Sequence, residues 1–128
     1  MIDHVSVAVR DLGRASAFYE AVLRPLGYAK LEVRAATVGF GKKYSEFWIN
    51  LRAEMLAERP DGGAHVCLRA SATAAVDAFH AAALSHGGAD DGAPGLRPQH
   101  GDGYYAAFIR DPDGNRIEAV TFVRSSET

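Results

Sequence analysis

The sequence predicts an α+β fold made of two tandem βαβββ modules. Three features of its 128 residues carry that expectation. An alternating apolar strand opens the chain and leads into an amphipathic helix. The same opening recurs 61 residues later. Behind each helix the chain breaks into short strand-like stretches.

From Ile2 to Val9, the side chains of Val5, Val7 and Val9 form one face, and those of His4, Ser6 and Ala8 the other. Period two with β-branched residues is the mark of a half-buried strand. Asp11 is placed to cap a helix, its carboxylate accepting from free N–H groups of the first turn. Ala15, Phe18, Tyr19, Val22 and Leu26 then recur at helical spacing, and Pro25 and Gly27 end the helix. Three strands are expected over 28–33, 36–40 and 46–51. In the last, Phe47, Ile49 and Leu51 share one face, while Glu46, Trp48 and Asn50 point the other way. Residues 53–63, with their charges, Pro60 and a glycine pair, read as a linker.

The repeat lies in register at four places. His4-Val5 matches His65-Val66, Ala17-Phe18 matches Ala78-Phe79, Leu23 matches Leu84, and Gly27 matches Gly88. One such match arises by chance, whereas four in register favour a duplicated module. Module 1 spans about 1–52 and module 2 about 62–128, within one domain of 1–128. In module 2, Val66 and Leu68 oppose His65, Cys67 and Arg69. Ser71 or Thr73 is expected to cap a helix whose stripe is Ala72, Ala75, Val76, Phe79 and Ala83; His80 and His86 on this helix are structural. Residues 87–103 hold six glycines and two prolines, so a long loop is expected, with at most a short strand near Leu96. Strands at 104–110 and 115–123 follow. Asp111-Pro112-Asp113-Gly114 joins them as a type I turn, which makes them a hairpin.

Composition excludes several function classes. Apolar residues make up 48% and charged residues 23%, as in an ordinary globular protein. A net charge of -2 without a basic run argues against nucleic acid. No apolar run is long enough to span a bilayer, and Met1-Ile2-Asp3-His4 lacks the basic and apolar regions of a signal peptide. A single cysteine, Cys67, forms no internal disulfide and fits a reducing cytoplasm. A buried, inert thiol is expected there.

Asp3-His4-Val5, Ala64-His65-Val66 and the stretch from Phe108 through Asp111-Pro112-Asp113-Gly114 to Glu118 resemble the vicinal oxygen chelate superfamily. That group includes glyoxalase I, extradiol dioxygenases, fosfomycin-resistance enzymes and bleomycin-binding proteins. The resemblance covers nearly the whole chain. It implies half-barrel sheets with helices outside, a shared pocket, and a homodimer whose pocket is often built from both subunits. Open sheet edges also favour pairing. His4, His65 and Glu118 each lie opposite the apolar residues of their strand. Two imidazoles and a carboxylate suit Fe, Mn, Ni or Zn with positions left for substrate.

Departures from the pattern narrow the function. Glyoxalase I is similar but carries a Glu on the last strand of its first module; the matching residue here is Trp48, a pocket wall or a packed interface aromatic. Extradiol dioxygenases and fosfomycin-resistance enzymes carry a Tyr where this chain has Phe108, which has no hydroxyl. Tyr104-Tyr105 lies nearby at a different place on the strand. Arg69 and Arg116 share the presumed pocket face, to hold a substrate anion or an exposed ion pair. His100 is a mobile acid or base, or a solvated loop residue. Two function classes remain: a metal-dependent lyase- or isomerase-type enzyme acting on a small oxygen-chelating substrate, or a metal-free small-molecule-binding protein.

Overall fold

A computed structural model describes residues 1–56 and 62–124. The central part of the expected linker and the last four residues of module 2 lie outside the described residues. The elements are β1 (Val5–Val9), α1 (Leu12–Leu23), β2 (Ala29–Val33), β3 (Thr37–Gly41), β4 (Ser45–Leu51), β5 (Val66–Arg69), α2 (Thr73–Ser85), β6 (Ala89–Leu96), β7 (Tyr104–Arg110) and β8 (Arg116–Phe122). They form two separate four-stranded sheets, ordered β1-β4-β3-β2 and β5-β8-β7-β6. In each, the strand before the helix pairs parallel with the last strand, and the other pairings are antiparallel. The two βαβββ modules of the sequence are therefore present as two unclosed sheets of equal topology.

Asp11 caps α1 as expected, its side chain accepting from the Arg14 backbone N–H at 3.0 Å. Gly27, at φ +88°, closes the short 3-10 turn Arg24–Leu26 that follows. The second helix differs from expectation. Its N-cap is Ala72, and no side chain caps it. Ser71 and Thr73 flank that position by one residue each, so neither hydroxyl has the cap's geometry. The glycine-rich stretch also differs. It forms an eight-residue strand, β6, whose register against β7 shifts at Gly92 and again before Gly95. Bulges let glycine-rich chain pair without regular alternation, so the period-two signal was missing. A 3-10 turn at Pro98–His100 leads on to β7.

One core lies between the sheets' apolar faces and the helices. Phe18, Tyr19, Val22 and Leu23 of α1 and Val76, Phe79 and Ala83 of α2 pack with Phe47, Ile49, Ile109 and Ile117. The helices touch each other as well as the sheets. His80, as expected, is structural: it is buried on α2 and hydrogen-bonds Asp90 of β6 at 2.8 Å. His86 bonds its own helix at Ala82 O.

The modules are also joined by polar groups from the β7–β8 turn. Asp111 accepts from Tyr19 Oη at 2.5 Å and from the backbone N–H groups of Asp113 and Asn115. Asn115 Nδ2 donates to Ala8 O of β1 at 2.8 Å. Asp113, fully buried, accepts from the backbone and guanidinium of Arg10. Burial raises Asp111 above the ordinary carboxylate range and Tyr19 well above its own. Tyr19→Phe leaves a buried carboxylate short of one donor, so a loss of about 1–3 kcal/mol is expected. Urea unfolding should show a lower midpoint at unchanged slope; an unchanged midpoint would refute this role.

Candidate functional site

In module 2, β5 and β8 pair with Cys67 opposite Glu118 and Val66 opposite Ile117. Ile117 and Ala119 enter the core, so Glu118 projects from the other face. It is nevertheless only 2% exposed. A carboxylate so covered needs donors, and the side chains of His65, Tyr104 and Cys67 surround it. His65 Nε2 lies 3.1 Å from Glu118 Oε1, and Tyr104 Oη donates to Oε2. His65 stands just ahead of β5 with its side chain half exposed. The site is therefore a covered carboxylate with an accessible imidazole at its edge.

Tyr104 contributes a contact that its place in the sequence does not announce. Phe108 pairs directly with Glu118, and Tyr104 pairs with Phe122, four residues along the same two strands. Residues two or four apart on a strand share a face, so parity alone put Tyr104 on the face of Glu118. Its long side chain covers the remaining distance. A hydroxyl thus reaches the carboxylate although Phe108 has none. Burial first, then the bond to Glu118, raises the Tyr104 phenol above its usual range.

Cys67 departs from expectation: it is exposed in the single chain, because its face of β5 is the one turned from the core. Partial burial and the adjacent Glu118 push its thiol up to about 12.

Module 1 presents a different surface. The pairings Val5 with Phe47 and Val66 with Ile117 make Trp48 the counterpart of Glu118. Trp48 is half-buried and lines a hollow of about 440 Å³ together with His4, Arg34, Thr37, Ser45 and Asn50. Glu46, expected on the same side, lines another cavity, because the β3–β4 register shifts at Gly41.

His4 is exposed, with Nδ1 2.7 Å from Asp3 Oδ1. It also borders a cavity of about 290 Å³ shared with His65 and Cys67. Yet among the described residues of one chain no three His, Cys, Asp or Glu side chains gather closely enough to hold an ion. The structure brings His65 and Glu118 together and leaves His4 outside their contact.

The remaining candidates have other partners. Arg116 borders a cavity beside His65, but its Nε bonds Asp91 at 3.1 Å, and Arg110 bonds the same carboxylate. Arg69 lies over Phe122, 4.6 Å from the ring centre. Phe108 lies under the Arg97 guanidinium at 5.5 Å. His100 is exposed, with its ring 5.3 Å from that of Tyr104.

A family model described as Glyoxalase/Bleomycin resistance protein/Dioxygenase superfamily matches residues 1–119. The chain belongs to this superfamily. Among solved structures, a glyoxalase/bleomycin resistance protein from Albidiferax ferrireducens T118 is 30% identical, with a TM-score of 0.80 over 92% of this chain and 95% of that one. A glyoxalase/bleomycin resistance protein/dioxygenase family enzyme from Burkholderia phytofirmans PsJN is 21% identical, with a TM-score of 0.71 over 95% of this chain and 98% of that one. The fosfomycin resistance protein FosX from Listeria monocytogenes is 13% identical, with a TM-score of 0.69 over 100% of this chain and 98% of that one. The last two likenesses are likenesses of fold. Among curated proteins none matches the sequence. No helix among the described residues is long and apolar enough to cross a membrane.

A thiol near 12 reacts slowly at neutral pH, because the thiolate is the nucleophile. At pH 8, iodoacetamide should modify native Cys67 at least about tenfold more slowly than the urea-unfolded chain. Glu118→Gln removes the neighbouring charge but not the burial, so it should recover part of that rate. Equal rates in native and unfolded protein would show that Glu118 exerts no such hold.

Proposed function

We propose that this superfamily member holds a divalent ion (Fe, Mn, Ni or Zn) and acts on a small oxygen-chelating substrate in lyase- or isomerase-type chemistry. The ligands in this reading are His65 and Glu118 of one protomer and His4 of the partner subunit in a homodimer. The observation that carries it is the contact of His65 Nε2 with Glu118 Oε1 at 3.1 Å. An ion bonded at 2.0–2.2 Å to an imidazole nitrogen and a carboxylate oxygen sets those atoms about 3.0–3.4 Å apart. The pair already has that spacing, and both donors are of the type such ions take.

When bound, the metal supplies Lewis acidity toward substrate oxygens and stabilises oxyanion charge. The chain's own residues do the rest. Tyr104 holds one oxygen of Glu118 and leaves the other facing His65. Trp48, at the position equivalent to Glu118, offers no ligand, so a three-donor site keeps positions open for substrate. Cover over Glu118 limits the water that competes for it.

Protein purified without chelators should contain about one ion per chain and sediment at twice the mass of one chain. His4→Ala and His65→Ala should each lose the metal while staying folded by circular dichroism. Tyr104→Phe should bind it about 10–100-fold more weakly, as for loss of a residue orienting a ligand. Full metal content in His4→Ala would overturn the two-chain site.

A metal-free ligand-binding protein is the second reading. It is favoured by Trp48, an aromatic wall at the position equivalent to Glu118. Extradiol ring cleavage is disfavoured, since Phe108 takes the place of the tyrosine beside the substrate in those enzymes. After iron loading, oxygen uptake with simple catechols should stay at background; robust uptake would assign that role to Tyr104 or His100.

A further inference from the structure

The module 1 hollow carries a feature that the metal reading leaves unused. Ser45 is 7% exposed, and its Oγ has no hydrogen-bond partner although it is buried. A buried hydroxyl without a partner costs stability until something reaches it. Ser45 lines the hollow with Trp48. Both crowd the space above Gly39, where an added Cβ would lie 2.5 Å from Ser45 Oγ and 2.9 Å from Trp48 Cη2. Glycine at 39 is thus what lets the indole edge and the hydroxyl share one spot at the floor of the hollow.

The charges around this spot decide what kind of ligand it takes. Arg34 lies over the Trp48 ring, 5.1 Å from its centre, and its Nη2 pairs with Glu32 Oε2 at 3.2 Å. Asp3 adds a second carboxylate, hydrogen-bonded to His4. The lining holds one guanidinium, already paired with Glu32, and two carboxylates, so no surplus positive charge waits for an anion. Of the uncharged groups in the lining, Thr37 bonds Ile49 O and Asn50, Tyr44 reaches Asp3 O at 3.5 Å, and Ser6 is exposed, which leaves a partly exposed indole and Ser45 as the buried hydroxyl without a partner. Arg34 is itself largely exposed, and an exposed guanidinium–ring contact is weak enough to be displaced by a stacking ligand.

We infer that this hollow binds a flat, uncharged aromatic group bearing one hydrogen-bonding substituent, stacked on Trp48 and bonded to Ser45. This rests on the proposed ligand-binding role of the pocket but not on a metal. At about 440 Å³ the hollow accommodates such a group with room to spare. His4 lines the same hollow, so the aromatic group would sit at the edge of the proposed ligand set.

Trp48 is the chain's single tryptophan, so its indole N–H gives one cross-peak in a nitrogen-15 correlation spectrum. Three probes separate the contributions: benzamide, its anionic counterpart benzoate, and the non-aromatic cyclohexanecarboxamide. Benzamide should move the indole peak saturably, and the other two should bind at least about tenfold more weakly, a difference of 1.4 kcal/mol. Ser45→Ala should weaken benzamide about fivefold, as expected for one hydrogen bond, without moving the peak of the free protein far. Benzoate binding as tightly as benzamide would overturn the inference in favour of an anion site built on Arg34. Equal binding of cyclohexanecarboxamide, an unchanged Ser45→Ala affinity, or no shift with benzamide would also overturn it. Repeating the titration on chelator-treated His65→Ala keeps the outcome independent of the metal. A failed metal reading appears in elemental analysis, and a failed aromatic reading appears here.

Discussion

Two buried aspartates in one turn hold the arrangement together. Asp111 and Asp113 belong to the hairpin that ends module 2, yet the groups that satisfy them include Tyr19 of α1 and Arg10 beyond β1. Buried carboxylates are costly unless bonded and charge-matched. If the modules separated, Tyr19, Arg10 and the Asn115–Ala8 bond would all lose their partners. Their mutual dependence fixes the orientation of one sheet relative to the other. That orientation puts the start of β1 beside the start of β5, where both histidines of the repeat stand.

The same turn serves the chemistry only from a distance. Asp-Pro-Asp-Gly-Asn reads in the sequence as a type I turn. In the fold it is a clasp: Asp111 accepts backbone N–H groups of its own turn and then reaches across to Tyr19. One oxygen of Asp113 remains without a partner even so. The clasp delivers Glu118, four residues downstream of Gly114, to the face opposite Ile117. The motif's link to function is thus indirect: it sets the register and placement of the strand that bears the carboxylate.

Legibility followed the strength of the physical signal. Valines alternating at 5, 7 and 9 and the stripe through Phe18, Tyr19 and Val22 announced β1 and α1, because burying one face leaves a period in the sequence. Of β6 only a short strand near Leu96 is legible, because glycines at 92 and 95 coincide with register shifts, which erase that period. The cap of α2 was misread because two hydroxyl residues flank Ala72, and the local sequence does not say which residue takes the cap's backbone angles. At the site, strand parity sufficed to put Glu118 and Trp48 on faces away from the core. Parity does not show how far a side chain extends along that face, so the reach of Tyr104 to Glu118 emerged only in three dimensions. Cys67 was judged by its residue type, which is usually buried, rather than by its parity with His65.

The duplication itself accounts for the asymmetry between the two halves. Equal topology gives each module the same pair of positions: Ser6 opposite Trp48 in one, Cys67 opposite Glu118 in the other. A carboxylate at that position, once covered, must recruit donors, and His65, Tyr104 and Cys67 lie within reach. An indole there needs no such partners; it needs room, which Gly39 on the neighbouring strand provides. Each choice therefore propagates to its neighbours. Around Glu118 the surface becomes a hydrogen-bonded cluster with one accessible imidazole, suited to holding a charge. Around Trp48 it becomes a hollow with an aromatic wall, suited to holding a shape. The difference between the two surfaces thus centres on one pair of equivalent positions, Trp48 and Glu118, and on the neighbours each of them requires.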